Sequence, residues 1–322
     1  MKKKKICIIL LLVIIINLLA DSSLANNNYN IALEKGTEIL KVKIYDKDAW
    51  RTTVSNFTTP SSWFEGEANF TSARSKYVIK GWNRVSWNTY DTFTKIFLPT
   101  IFNPEQIIPL LAIMNNLGYN ETTLNNNYTT SYKFWLGLRA KWIFTNSDFE
   151  EKPVDANDFF LIFENPEDYS KVLNDYNNIA EKLNEDILIK TSGFSFPHLS
   201  GYQFLFFLIQ SEFAITKPFS KYLTSLVDEL GCNNTRAIDN MLKIERIGET
   251  NYTIEVSYGS GGTMRSFVVK DINGVIIYQI VRIDSDWILI FYVIIIILSI
   301  FLVALCVFLI LRRRKIMQMR RK

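Results

Sequence analysis

The single histidine of the chain, His198, stands three residues after Ser195 in Gly193-Phe194-Ser195-Phe196-Pro197-His198. A serine nucleophile needs such an imidazole as its base and an acid to orient it. The sharp turn that presents such a serine carries a glycine on both sides, and Pro197 occupies the second of those positions. His198 therefore reads as a loop histidine. Glu65 and Glu67 alternate, and on a strand they would share a face about 7 Å apart. Two carboxyls near that separation can hydrolyse glycosides, although two acids on a solvated face is the plainer reading. Asp155, Asn157 and Asp158 begin like a calcium loop but lack its spaced ligands and closing glutamate. One histidine and no pair of exposed cysteines exclude the usual zinc sets. Gly259-Ser260-Gly261-Gly262 is glycine-rich, but it joins two strand-like runs, whereas a phosphate cradle opens a helix. The sequence assigns no catalytic residue, no metal ligand and no cofactor, and the chain does not read as an enzyme.

Six Asn-x-Thr sites could accept glycans: Asn56, Asn69, Asn120, Asn127, Asn233 and Asn251. They occur in a chain rich in Ile, Asn, Lys, Tyr and Phe, with asparagine runs at 26–28 and 125–127, so composition alone supplies several of them. Of the three cysteines, Cys7 lies in an N-terminal apolar run and Cys306 in a C-terminal one. Cys232 alone remains between them, either a partly buried thiol or a link between two chains.

These residues must be positioned by what lies between two apolar segments. Trp287 to Leu311 is twenty-five residues without a charge, followed by Arg312, Arg313, Arg314 and Lys315. A bilayer is crossed by about 20 apolar residues in helical form, so this run reads as a transmembrane helix with a basic stop-transfer flank. Lys2 to Lys5, the apolar Ile6 to Leu19 and the small residues of Ser23-Leu24-Ala25 form a signal peptide over residues 1–25, with Asn26 as mature terminus; a retained anchor is the alternative. Basic residues after the second run then place 26–286 outside the cell, 287–311 in the cell membrane and 312–322 as a basic cytoplasmic tail. The chain is a single-pass type I membrane protein on this reading.

The net charge of +4 belongs to the ends. Residues 26–286 hold 25 basic and 31 acidic side chains, which argues against nucleic acid as a partner. About 260 residues suffice for a core without disulfides.

Within 26–286 the patterning predicts an α+β, β-rich extracellular domain: an antiparallel sheet or meander with two or three amphipathic helices. Residues 37–45 alternate as a strand, and 46–98 continue as short β-prone pieces ending in a strand at 93–97 before Pro99. Residues 104–117 read as a helix and 120–130 as a loop. From Tyr132 to Phe144 apolar residues hold period two, with Lys133, Arg139 and Lys141 on the opposite parity. That strand is either long and curved or interrupted by a bulge at Gly137. Residues 158–163 form a short strand. A helix over 166–184 follows, capped by Asn165. Residues 201–215 read as a buried helix or the lining of an apolar pocket, and 218–230 as a second amphipathic helix. Strands at 252–258, 264–270 and 275–283, the last two joined at Asn273-Gly274, close the domain.

Two functions fit. One is a binding or interaction module on the bilayer surface, recognising an extracellular protein partner through tryptophans and tyrosines of 46–92. The other is a carrier or sensor of a lipid or other apolar ligand, its sheet curved around a cavity lined by Phe204, Phe206, Phe207 and Phe213.

Overall fold

The computed structural model describes residues 29–128, 131–283 and 294–299. The expected signal peptide over 1–25, with Cys7, and Trp287, Cys306, Leu311, Arg312, Arg313, Arg314 and Lys315 lie outside these residues. Inside the apolar run, 294–299 are helical and exposed at every position. Among the described residues no helix is long and apolar enough to cross a membrane.

The described chain is α+β and β-rich. Nine strands form one antiparallel sheet in the order β4-β3-β2-β1-β9-β8-β7-β6-β5. They are β1 Gly36–Tyr45, β2 Arg74–Asn88, β3 Ser131–Thr145, β4 Asp155–Phe163, β5 Thr235–Ile238, β6 Met241–Ile247, β7 Asn251–Tyr258, β8 Met264–Asp271 and β9 Ile276–Arg282. Two sequential meanders, β1 to β4 and β5 to β9, are thus zipped together where β1 meets β9. There Leu40 faces Arg282 and Val42 faces Ile280. Leu40, Val42, Ile254, Val256, Phe267 and Ile280 lie fully buried, so period-two alternation carries both halves into one core.

The helices are α1 Lys47–Thr53, the continuous segment α2 spanning Thr89–Thr92, Phe93–Phe97 and Leu98–Ile101, α3 Pro104–Asn116, α4 Glu121–Asn127, α5 Glu167–Glu185, α6 Ile187–Ser192, α7 Gly201–Gln210 and α8 Phe219–Glu229. Helix α5 is the longest of the described helices, and Tyr169, Val172, Leu173, Tyr176, Ile179 and Leu183 bury its apolar stripe as the 3.6-residue period requires. Its start differs from the expected cap, because no side chain caps it and Asn165 contributes its backbone carbonyl to Asp168 N at 3.0 Å.

Residues 46–98 hold one long strand, β2, between helical segments rather than a series of short β pieces. Asp46 accepts a hydrogen bond from Ala49 N at 2.9 Å and starts helix α1, and Asn88 does the same for Asp91 N at 2.8 Å at the start of α2. The expected strand at 93–97 is therefore helical, with Phe93–Phe97 in a π-helical turn. Phe93 and Phe97 both stack on Tyr176, with ring centroids 5.8 and 4.3 Å away. Over five residues, spacings of two and four fit either period, and tertiary contact with α5 decides. Likewise 120–130 is not all loop, since Asn120 caps α4 through Thr123 N at 3.0 Å. The C-terminal meander also begins earlier than expected, with β5 and β6.

Strand β3 runs fifteen residues without a break at Gly137. At about 3.3 Å per residue that is a strand roughly 50 Å long. Near Gly137 the extra residues lie in its partners, in β2 between Ile79 and Gly81 and in β4 between Asp155 and Asp158, while β3 carries one of its own between Trp142 and Thr145. Gly137 instead seats the Phe160 ring, because a Cβ there would lie 2.0 Å from Phe160 Cζ. In the glycine-rich turn between β7 and β8, Gly262 has φ +79 and its absent Cβ would lie 2.1 Å from Ile215 O. Packing against the neighbouring backbone explains that glycine, consistent with the expected turn.

Candidate functional site

A cleft of about 1000 Å³ opens between the β2-β3-β4 end of the sheet and the helices. That volume is at the upper end of the range for small-molecule sites. Helix α7 supplies one wall through Phe204, Phe207 and Leu208, and α2 another through Ile96 and Phe97. The turn after Pro60–Ser62 adds Trp63 and Phe64, and the sheet adds Leu136, Phe144, Phe160 and Leu161. Phe159 and Glu65 are exposed at the rim.

These walls are built by local rules. Ser200 accepts from Gln203 N while Gln203 Oε1 accepts from Ser200 N, a reciprocal cap that fixes the start of α7. Gly201 lets that helix approach α8, since a Cβ there would lie 1.9 Å from Leu230 O. Trp63 is held edge-on against Trp50 at 4.7 Å and Phe206 at 5.3 Å.

At one end of the cleft lies a buried charge cluster. Arg139, 4% exposed, donates through Nε to Asp158, through Nη1 to Glu212 Oε2 at 3.5 Å and through Nη2 to Ser211 O at 3.1 Å. Burial works against its charge, but Glu212 and Asp158 outweigh that, and the guanidinium pKa lies above its usual value. Glu212 is 6% exposed and adopts φ +55, left-handed backbone that costs a non-glycine residue about 1–2 kcal/mol. Its carboxylate contact with Arg139 is what that strain places. Beside it, Tyr77 donates to Glu38 Oε2 at 2.7 Å, and Glu38 also takes Thr263 Oγ1 and Arg282 Nη1. Burial, then the charges of Glu38 and Glu212, push the Tyr77 phenol well above its usual pKa. A belt of paired polar groups thus crosses the sheet from β9 to β4.

Arg139 escaped the sequence reading because its parity marks it as outward-facing. In the structure Gly137 and Arg139 are buried on one parity of β3 and Ala140 and Phe144 on the other. The flanking register shifts bend the sheet there, and a bent strand can be covered on both sides. An arginine inside an otherwise apolar alternation was the available signal.

The other singled-out residues do not come together. His198 and Ser195 are exposed in the coil before α7. Glu65 and Glu67 are on a loop rather than a strand, and they face separate partners, Lys141 Nζ at 3.0 Å and Asn146 N at 2.6 Å. Asp155, Asn157 and Asp158 lie in strand β4, with Asp155 accepting from Asn157 N and Asp158 from Arg139. Among the described residues no group of three or more His, Cys, Asp or Glu is arranged to hold a metal ion. Asn56, Asn127, Asn233 and Asn251 are exposed; Asn69 and Asn120 are half-buried, their side chains engaged with Ser61 and Thr123.

Cys232 is a free thiol, 3% exposed, and burial raises its pKa to about 11. Only about one thiol in ten thousand is then ionised at neutral pH, and the thiolate is the reactive form. Alkylation with iodoacetamide, read by peptide mass mapping, should leave Cys232 unmodified in the folded chain and modify it after denaturation. Rapid native labelling, or a dimer through Cys232 on a non-reducing gel, would contradict this buried setting.

The fold and cleft define an α+β domain with a half-open aromatic pocket beside a buried ion cluster. No family model, no curated protein and no solved structure matches the chain.

Proposed function

We propose that residues 26–286 form a membrane-tethered extracellular domain that holds an apolar or amphipathic ligand, lipid by class, in the cleft between α7 and the sheet. The observation that carries the reading is the cleft itself, about 1000 Å³ with predominantly aromatic and aliphatic walls. The apolar run 287–311 and its basic flank supply the tether. Ile283 N donates to Ile39 O at 2.7 Å, so the sheet holds the chain up to four residues before that run. Arg282 pairs with Leu40, which pairs with Ser75 in the cleft wall. Two strand spacings, roughly 10 Å, thus separate the cleft from the point where β9 ends. A lipid source would then be close at hand.

The protein-interaction reading has less behind it. It relied on aromatic side chains of 46–92 being displayed, but Trp50 and Tyr77 are buried and Trp63, Trp82 and Trp87 are half-buried against the core.

Native mass spectrometry of the full chain, purified from its own membranes and stripped of detergent in the instrument, tests the proposal. A reproducible lipid adduct is expected. Leu208→Trp, which fills the cleft from α7, should reduce that adduct about tenfold while leaving the melting temperature within a few degrees. A bare polypeptide, or an adduct indifferent to Leu208→Trp, would overturn the reading.

A further inference from the structure

Alternation divides the β9-β1-β2 part of the sheet into two faces. Leu40, Val42, Tyr77, Tyr278 and Ile280 are buried on the inward one. The residues between them point the other way. On that outward face Ile39 lies opposite Lys76, and Lys41 lies opposite both Arg74 and Val281. All five are half-buried, and Ile283, the next outward residue after β9, is 41% exposed. Lys43 is exposed where the β1 register shifts between Val42 and Ile44.

This outward face is basic. Lys41, Lys43, Arg74 and Lys76 are its cations, and the outward positions beside them on β9, β1 and β2 carry no carboxylate. Among the described residues Lys41, Lys43 and Lys76 make no ion pair, and Arg74 meets Asp148 of the β3-β4 loop at 3.5 Å. Aromatic rings stand at the border: Lys76 Nζ is 3.8 Å from the Trp142 ring centroid and 4.9 Å from that of Phe149. Farther across the sheet the same face is mixed in sign, with Lys270 on Glu255 at 2.6 Å and Lys243 and Glu245 on one parity of β6.

The chain also leaves the sheet here. Ile283 N donates to Ile39 O at 2.7 Å, and four residues, at most about 14 Å of extended chain, lead from Ile283 to Trp287 at the start of the uncharged run. A lipid surface suits this combination. Its phosphates attract cations, and its boundary between headgroups and acyl chains takes up tryptophan and aliphatic side chains.

Resting on the reading of 287–311 as a tether, we propose that the outward face of β9, β1 and β2 lies flat on the phospholipid headgroups of the bilayer that anchors the chain. Lys41, Lys43, Arg74 and Lys76 meet lipid phosphates, and Ile39, Val281 and Ile283 reach the acyl boundary. The basic half of the face, next to the exit point, is the half that docks.

The test reconstitutes the full chain into vesicles of mixed phosphatidylcholine and phosphatidylglycerol with a trace of phospholipid bearing a headgroup diazirine. After irradiation, cross-linked peptides are mapped by mass spectrometry. Cross-links are expected along both 37–43 and 74–78, and at Gln279, which pairs with Ile44 and so lies roughly 20 Å along the sheet from Thr37. None is expected at Thr52, exposed on helix α1, which packs on the inward face through Trp50 and Tyr278. Lys41→Glu combined with Lys76→Glu should lower the yield over these strands at least about tenfold, with the melting temperature within a few degrees of the parent. Cross-links confined to Thr37 and Ile283 would mean a domain standing on its end, and would overturn the proposal. So would labelling at Thr52 equal to that at Gln279, or a yield indifferent to the double charge reversal. A chain that fails to float with the vesicles removes the tether reading as well.

Discussion

Arg139→Met should destabilise the domain by about 3–5 kcal/mol, the cost of leaving buried carboxylates without their cation. Glu212 has a side chain only 3% exposed and Asp158 one 23% exposed, so water reaches neither fully. Ser211 O also loses its donor. Methionine approximates the arginine stem in volume, which keeps the packing term small. A urea titration followed by circular dichroism reads the result as a lower midpoint at unchanged slope. Adding Glu212→Gln to Arg139→Met should return part of the stability, since it removes one of the two uncompensated charges. A midpoint within error of the parent would show that the cluster is solvated and contributes nothing.

Trp50→Ala should be about as severe, with a loss of about 3–5 kcal/mol. Trp50 is fully buried, and its indole Nε1–H donates to Thr58 O at 2.8 Å. Its ring meets Trp63 at 4.7 Å and Tyr278 at 5.6 Å, both edge-on. Alanine leaves a large void, an unpaired carbonyl and a Trp63 without support on one side. Since Trp63 lines the cleft, lipid occupancy should fall with stability. Trp50→Phe preserves most of the volume and loses only the hydrogen bond, so it should cost about 1–2 kcal/mol. Thermal unfolding of the two variants separates packing from hydrogen bonding; equal losses in both would assign the effect to the Thr58 contact.

Much of the strand pattern was legible because it is dictated by covalent geometry. Successive side chains on a strand point to opposite faces, so Leu40, Val42, Ile254 and Val256 announced their own burial. Helix α5 announced itself through an apolar stripe sustained from Tyr169 to Leu183. The segment 93–97 did not, because five residues cannot distinguish the two periods and the deciding contacts come from Tyr176, about eighty positions away. Strands β5 and β6 were overlooked for a related reason. In β6, Lys243 and Glu245 alternate with buried Leu242 and Ile244, Arg246 then interrupts the apolar parity, and β5 is only four residues long, so the apolar signal is short.

The candidate site was visible only in fragments. The aromatic run 201–215 was read as a buried helix or pocket lining; helix α7 covers only Gly201–Gln210, and of the expected phenylalanines Phe204, Phe207 and Phe213 line the cleft while Phe206 does not. Arg139 was marked only as an arginine inside an apolar alternation, and its pairing with Asp158 and Glu212 was not legible. An arginine on the polar parity of a strand ordinarily lies at the surface.

The sequence by itself determined the α+β class, the antiparallel alternation, the long amphipathic helix and the two apolar runs outside the described domain. Each depends on periodicity, composition or length, which are local properties of the chain. Only the tertiary structure decided the order of the nine described strands, the junction of β1 with β9, the meeting of Arg139 with Asp158 and Glu212, and the cleft beside them. Those depend on which distant segments share a neighbourhood. The register shifts beside β3 and the close approaches permitted by Gly137 and Gly201 set that neighbourhood through sterics between residues far apart in the chain.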